Sequence, residues 1–358
     1  MTTESRDGIA ARSIAVLKEG QARTGAFVAS PNFPVYRYAW LRDGAFCAAA
    51  LNVVGERERA NAFHEWATRS IESNRSLIER AIAALAAAEQ PRPETMPPAR
   101  YTLDGLIERD GSDPWPNFQI DGYGIWLWAL AGHLSGEPPT TTQCRAVELV
   151  ARYLAATWRV PCWNCWEEFD GGEHASTLAA VFGGLSAASR LLEDESWAVE
   201  AGGIRTALLE KFLHGDRFGR GATDARLDGS LLWLAVPFGV LPHDEPRIRR
   251  TVEAVKAELT GPAGGIYRYR GDSYYGGGEW LLLASSLVWY EAVSGGAAWS
   301  DARAWVRAQA APNGDLPEQV ATHPQDRTMV QPWIDRWGPI ATPLLWSHAM
   351  YLIAEAAL

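Results

Sequence analysis

The sequence has no cluster of lysine or arginine, and its 33 basic residues are outnumbered by 43 acidic ones, which gives a formal net charge of −10. This balance argues against nucleic acid or an anionic membrane surface as a partner. The N-terminus lacks the basic and apolar segments of a signal peptide, and no uncharged apolar run is long enough to span a membrane. We therefore expect a cytoplasmic protein.

Cysteine is also scarce, with four residues in 358. Cys162 and Cys165 have C-x-x-C spacing, but a zinc site would need a second Cys or His pair, and a redox motif would need a thioredoxin-like strand–helix context. Cys47 and Cys144 stand alone in apolar helical segments. We predict ordinary buried thiols, with no metal and no cofactor.

The alternating pattern of β-strands is almost absent, and apolar residues recur instead at helical spacing. The pattern predicts about twelve helices between Gly/Pro loops. The first helix runs from near Arg6 to Gly20, the second follows Asp43 to Gly55, and the third covers 56–89 with a break near Asn74. The others are predicted at 119–134, 141–159, 174–192, 195–214, 229–236, 245–259, 279–294, 298–309 and 341–357.

The chemically distinctive residues lie in the loops that enter alternate helices. A closed ring of six helix pairs would give this alternation, with the loops of the inner helices meeting at one mouth. No low-complexity linker divides the chain. We therefore predict an all-α fold in a single domain over residues 1–358, with an irregular helical bundle as the alternative.

Residues 162–170 place two adjacent carboxylates, Glu167 and Glu168, between aromatic residues. Burial beside Trp166 and Phe169 would raise the pKa of Glu167, and a carboxylic acid that keeps its proton can donate it to a leaving group. The alternative is a loop whose acids point into water. The 17 tryptophans are compatible both with stacking on sugar rings and with a large helical core.

Hydrolysis of a glycosidic bond needs a second carboxylate to act on water or on the anomeric carbon. Glu318 is the candidate, and Gln319 beside it is positioned in sequence to orient a water molecule. Taken alone, this Pro-Glu-Gln segment is better explained as an ordinary loop or helix start, where Glu is favoured.

Taken together, the loops resemble glycoside hydrolase family 15, the glucoamylase family, from about residue 36 to the end of the chain. The similar motifs follow the family's order. They are Tyr-Arg-Tyr-Ala-Trp-Leu-Arg-Asp at 36–43, Trp-Pro-Asn-Phe-Gln-Ile-Asp-Gly at 115–122, Trp-Glu-Glu at 166–168, Arg-Tyr-Arg-Gly-Asp-Ser-Tyr-Tyr at 268–275 with Gly277 and Trp280, Glu-Gln at 318–319, and Trp-Ser-His-Ala at 346–349.

The resemblance implies an (α/α)6 barrel and an inverting exo-α-glucosidase acting on a small oligosaccharide. It implies that Glu167 is the general acid and Glu318 the general base, with Gln319 holding the attacking water. Arg42 and Asp43 would bind the 4- and 6-hydroxyls of the terminal glucose. The implied substrate-binding residues are Tyr36, Trp40, Arg42, Asp43, Trp115, Trp166, Glu168, Arg268 and Gln319.

Structural alternatives exist for several positions outside the two catalytic candidates. Asp121 and Asp228 are interpreted as helix caps, His348 as a core histidine with satisfied hydrogen bonds, and Trp346 as core. Arg268 is equally compatible with a role in anchoring its loop and with a contact to the substrate.

The stretch Gly276-Gly277-Gly278-Glu279 departs from the family pattern, and we expect it to alter the site of the leaving sugar or to make that loop more mobile. Isomaltose-type α-1,6 and maltose-type α-1,4 substrates both remain open, as does trehalose. The competing functions are a disaccharide phosphorylase on the same barrel and a non-catalytic sugar-binding protein.

Overall fold

The computed structural model describes residues 3–90, 92, 95–108, 115, 118–168, 171–296 and 299–358. Its centre is a closed ring of six helical elements, in which each contacts the next and the last returns to the first. In order around the ring these are α2 (Leu41–Val53), α5 (Asp121–Leu134), α7 (Ala175–Leu192), a 3-10 helix (Gly229–Leu234), α10 (Leu281–Ser294) and α13 (Leu345–Ala356).

An outer layer of helices packs around this ring. Its members are α1 (Thr3–Glu19), α3 (Arg57–Ser73), α4 (Arg75–Ala86), α6 (Thr141–Thr157), α8 (Glu195–Lys211), α9 (Pro246–Leu259) and α11 (Trp299–Ala308). The local sequence fixes where some of them begin. A capping box between Thr140 and Gln143 starts α6, and Glu245 caps α9 just before Pro246.

The inner helices are buried on nearly all sides, and their sequences are therefore apolar around the whole helix rather than amphipathic. Helix α7 is the extreme case, since its length and composition would suit a membrane span, yet 72% of that window is buried inside the protein. Glycine allows its close packing on α5. A Cβ at Gly184 would collide with the backbone of Gly124.

Within the described ranges, seven two-residue antiparallel strands connect the loops between the helices. They are β1 (Ala39–Trp40), β2 (Arg100–Tyr101), β3 (Leu213–His214), β4 (Arg217–Phe218), β5 (Ile266–Tyr267), β6 (Glu279–Trp280) and β7 (Gln319–Val320). Strands β1 and β2 pair, as do β3 and β4, and β5, β6 and β7 form a three-stranded sheet. Strands this short carry no alternation pattern long enough to detect in the sequence.

The ring of helix pairs and the break at Asn74 are confirmed, and three details of the prediction are wrong. Residues 229–234 form a 3-10 helix rather than an α-helix, and α13 begins at Leu345 rather than near 341. A further helix, α12 (Val330–Trp337), follows a short 3-10 turn and was not predicted. Pro332 lies inside α12, which is only 8 residues long, so the helical periodicity of this segment is short and interrupted.

Candidate active site

A cavity of about 320 Å³ opens at the end of the ring where the inner-helix loops meet. Every predicted site residue except Gln319 lines it. The predicted members are Tyr36, Trp40, Arg42, Asp43, Trp115, Trp166, Glu167, Glu168, Arg268 and Glu318. The polar side chains that the loops carry therefore converge on one concave site, which is the usual form of a small-molecule site.

The closed end of the cavity is built by the first turn of α2. Arg42 donates to Gln119 (3.0 Å) and to Asp121 (3.1 Å), and its guanidinium lies 5.3 Å from the ring centroid of Trp346. Burial raises the pKa of Asp43 to about 6, although neighbouring Arg42 acts in the opposite direction. The Asp43 Oδ2 atom accepts no hydrogen bond from a residue that the structure describes. A buried acceptor of this kind suits a ligand hydroxyl.

Two of the structural interpretations are corrected here. Asp121 does not cap α5, because its carboxylate accepts from Arg42 instead. Trp346 is buried but also lines the cavity beneath Arg42, so it is not plain core. Neither contact could be predicted from the local sequence, because α5 and α13 reach Arg42 from different parts of the chain.

The other interpretations hold. His348 is a core histidine whose hydrogen bonds are satisfied, since its ring nitrogens contact the Leu316 amide (2.9 Å) and the Ser13 hydroxyl (2.8 Å).

Asp228 caps the 3-10 helix through Ser230 N (2.8 Å) and also accepts from Trp166 Nε1 (2.9 Å). This second contact fixes the residue that precedes Glu167.

Glu167 lies in a turn between α6 and α7 with φ of 64°, a left-handed conformation that costs a non-glycine residue roughly 1–2 kcal/mol. Asn164 holds the turn, because its backbone carbonyl accepts from Glu167 N (3.0 Å) and its Oδ1 accepts from Glu168 N (3.1 Å). The turn therefore aims two consecutive acids into the cavity.

Three donors converge on one oxygen of Glu167. Oε1 accepts from Trp40 Nε1 (2.7 Å), Gln119 Nε2 (2.9 Å) and Arg42 (3.4 Å). A carboxyl proton cannot occupy an oxygen whose acceptor sites face three donors, so any proton resides on Oε2. The aromatic partner expected at Phe169 lies outside the described residues.

Glu168 faces a different set of groups. It accepts from Arg268 (2.7 Å) and from the hydroxyl of Tyr269. Arg268 is buried and makes two bonds to Asp272, at 2.8 and 2.6 Å. The guanidinium therefore anchors the 268–272 loop, as one of its two interpretations predicted, and also holds Glu168 at the cavity wall.

Glu318 is almost fully buried, at 2% exposure, among aromatic residues. The Tyr36 hydroxyl donates to its Oε1 (3.0 Å) and lies 2.9 Å from the Tyr274 hydroxyl. Oε2 accepts no hydrogen bond from a described residue. Burial raises the pKa of Glu318 to about 7, with Tyr36 acting in the opposite direction.

This environment does not include Gln319, which the resemblance implied would hold the attacking water. Gln319 is turned away from the cavity. Its Oε1 accepts from Gly278 N (2.8 Å) and its Nε2 donates to the Tyr274 carbonyl (3.2 Å). Gln319 therefore braces the glycine-rich loop rather than lining the site.

The rim of the cavity contains residues that the sequence analysis missed. Helix α12 contributes Trp333, Arg336 and Trp337. The two tryptophans, spaced i and i+4, share one helix face and their ring centroids lie 4.9 Å apart. This aromatic pair at helical spacing was the sequence signal that could have revealed the rim.

The described residues contain no group of three or more His, Cys, Asp or Glu side chains placed to hold a metal ion. The four cysteines are unpaired, and Cys47, Cys162 and Cys165 are buried.

Comparisons with known proteins agree with the geometry. The family model "Glycosyl hydrolases family 15" matches residues 4–311. An isomaltose glucohydrolase of Kribbella flavida is 38% identical, in an alignment that covers 99% of this chain and 96% of that protein. A trehalase of Mycobacterium tuberculosis is 28% identical over 66% of this chain and 36% of its own length.

Solved structures extend the likeness to the whole fold. A wild-type glycosidase superposes with a TM-score of 0.93 at 36% identity, covering 100% of this chain and 99% of that one. A variant glycosidase in complex with glucose also has a TM-score of 0.93 at 36% identity, with coverage of 100% and 98%. A bacterial glucoamylase complexed with acarbose shares the fold at a TM-score of 0.73 and 21% identity, over 97% of this chain and 55% of that one. The protein is therefore a glycoside hydrolase with an (α/α)6 barrel, and it belongs to glycosyl hydrolases family 15.

Proposed function

We propose that this exo-acting α-glucosidase cleaves short isomaltose-type substrates from the non-reducing end, with Glu167 as general acid and Glu318 as general base. The observation that carries the proposal is that both carboxylates line one cavity whose inner end is closed by Arg42, Asp43 and Trp346. A closed end accepts a chain terminus and excludes an internal segment of a polymer.

The size of the cavity supports a short substrate. Its volume of about 320 Å³ lies at the small end of the range for small-molecule sites, roughly 300–1,000 Å³. The likeness to an isomaltose glucohydrolase over nearly the whole of both chains favours the α-1,6 linkage over the α-1,4 linkage.

In the proposed reaction, Glu167 donates its proton from Oε2 to the glycosidic oxygen as the bond from that oxygen to the anomeric carbon breaks. Glu318 takes a proton from a water molecule whose oxygen bonds to the opposite face of the same carbon. The products are β-glucose and the shortened sugar. Proton exchange with solvent then restores the acid and the base.

The surroundings of each carboxylate suit its proposed task. With Oε1 of Glu167 occupied by Trp40, Gln119 and Arg42, its transferable proton is confined to one oxygen. Glu318, with a pKa of about 7, is a stronger base than an ordinary carboxylate and is partly ionised at neutral pH. Its buried Oε2 accepts no hydrogen bond from a described residue, which leaves that acceptor unused by the protein.

The test is a substrate screen with isomaltose, maltose and trehalose, in which proton NMR identifies the first anomer of glucose released. We expect the highest kcat/KM on isomaltose and initial release of β-glucose. Initial α-glucose would contradict inversion, and faster cleavage of trehalose would support an α,α-1,1 specificity like that named for the trehalase relative. Glucose 1-phosphate formed only with added phosphate would indicate a phosphorylase.

We also propose that residues 1–358 form a single catalytic domain in the cytoplasm. The closed ring of helices supports the first part, because it takes elements from residue 41 to residue 356. The unpaired cysteines support the second, because reduced thiols are usual in that compartment.

A further inference from the structure

We infer that α12 forms the site for the leaving sugar and that Arg336 is the residue that recognises its hydroxyl groups. This inference rests on the proposed function and adds a specificity-determining residue to it. It begins from the position of Arg336, which lines the cavity and is exposed to solvent.

The side chains that line the cavity differ in their exposure to solvent. The side chains of Arg42 and Asp43 are 7% and 10% exposed, and that of Glu167 is 13% exposed, whereas Arg336 is an exposed residue. A terminal glucose at the closed end would place its glycosidic bond near the two carboxylates. The next sugar would then lie toward Arg336.

Aromatic contacts connect α12 to the wall of the cavity. Trp337 stacks near Trp115, with ring centroids 6.5 Å apart and an interplanar angle of 28°. Trp333 packs on Tyr274, with centroids 5.1 Å apart. Arg336 lies over both α12 tryptophans, at 4.7 Å from the Trp337 ring centroid and 5.4 Å from that of Trp333. The rings hold the guanidinium in place at the rim.

The glycine-rich loop keeps α12 at the rim. Asp326 N donates to the Gly276 carbonyl (2.9 Å) and Gln325 N to the Gly277 carbonyl (3.2 Å). Gly277 has φ of 67°, and a Cβ there would collide with the Asp272 carbonyl, so this attachment depends on glycine. The departure from the family pattern thus coincides with the anchor of α12.

The guanidinium of Arg336 has unused donors. It makes no hydrogen bond or ion pair with a residue that the structure describes, and its recorded contacts are with the two aromatic rings. A guanidinium has five N–H donors in a fixed plane, and sugar hydroxyls are acceptors. Stacked arginine beside tryptophan therefore offers a leaving sugar both an apolar ring face and hydrogen bonds.

The experiment compares Arg336→Met and Arg336→Lys with wild type on isomaltose and on α-glucosyl fluoride. Fluoride as a leaving group has no hydroxyls to recognise. We expect Arg336→Met to lower kcat/KM for isomaltose about ten-fold, equivalent to about 1.4 kcal/mol, mainly through KM. The rate on α-glucosyl fluoride should stay within about two-fold of wild type, and Arg336→Lys should recover part of the loss.

Arg327→Met is the matched control, since Arg327 is exposed on the same segment and does not line the cavity. It should leave both substrates unaffected. Equal loss on both substrates, or no loss on isomaltose, would overturn the role of Arg336 while leaving the proposed function intact. If the wild type released glucose from neither substrate, the proposed function would fail and the inference with it.

Discussion

Glu167 and Glu318 line the same cavity in opposite surroundings. Glu167 faces Arg42, Gln119 and Trp40, all of which donate to one of its oxygens. Glu318 is buried among tyrosines, accepts one hydroxyl and has a pKa raised to about 7. The comparison shows that identical side chains in one site obtain different properties from the groups around them.

The largest expected effect comes from removing each carboxylate in turn. Glu167→Gln and Glu318→Gln should each lower kcat on isomaltose by more than about 100-fold, since each removes a proton-transfer group. On α-glucosyl fluoride the two variants should differ. Fluoride leaves without strong protonation, so Glu167→Gln should retain most of the wild-type rate, while Glu318→Gln should stay inactive. Equal retention by both variants would contradict the assigned roles.

A smaller effect concerns the free energy of unfolding, which Glu318→Gln and Glu167→Gln should change in opposite directions. The pKa of Glu318 is raised from 4.5 to about 7 by burial, so the folded state binds more protons than the unfolded state in that window and loses stability as pH rises. Glu318→Gln removes this loss, so its free energy of unfolding at pH 8 should exceed that of wild type by about 3 kcal/mol.

Glu167→Gln should instead lower the free energy of unfolding by about 1–2 kcal/mol, because it weakens the contact between Glu167 Oε1 and buried Arg42. Denaturant unfolding at pH 8 and pH 4.5 checks both signs. The gain from Glu318→Gln should vanish at pH 4.5, where the wild-type carboxyl is protonated in the folded protein. If Glu318→Gln were less stable than wild type at pH 8, the desolvation argument would be contradicted.

The smallest effect should come from Tyr274→Phe. This change removes the hydroxyl that contacts Tyr36 and that favours ionised Glu318. The acid limb of the kcat profile should move to higher pH by roughly 0.5–1 unit, the equivalent of one hydrogen bond. Tyr275→Phe is the control, because its hydroxyl donates to Gly338 O (2.8 Å), and its acid limb should not move. If the acid limb of the Tyr274→Phe profile does not move, the Tyr274 hydroxyl does not favour ionised Glu318.

Local patterns were enough to predict most of the fold. Helical periodicity and Gly/Pro loops gave the inner and outer helices, because amphipathic spacing and breakers are properties of short segments. The short strands and α12 were missed for the same reason. A two-residue strand such as β7 forms because its partner β6 is nearby in space, and this partnership is not encoded within the two residues.

The sequence by itself determined which acids, aromatics and arginines stand at the mouths of the inner helices, and hence the family and the two candidate carboxylates. Only the tertiary structure decided what those residues contact. It turned Gln319 toward Gly278, placed Arg42 between Asp121 and Glu167, and buried Glu318 beneath Tyr36. Proton affinity and hydrogen bonding depend on neighbours from distant parts of the chain, and the folding of the ring brings those neighbours together.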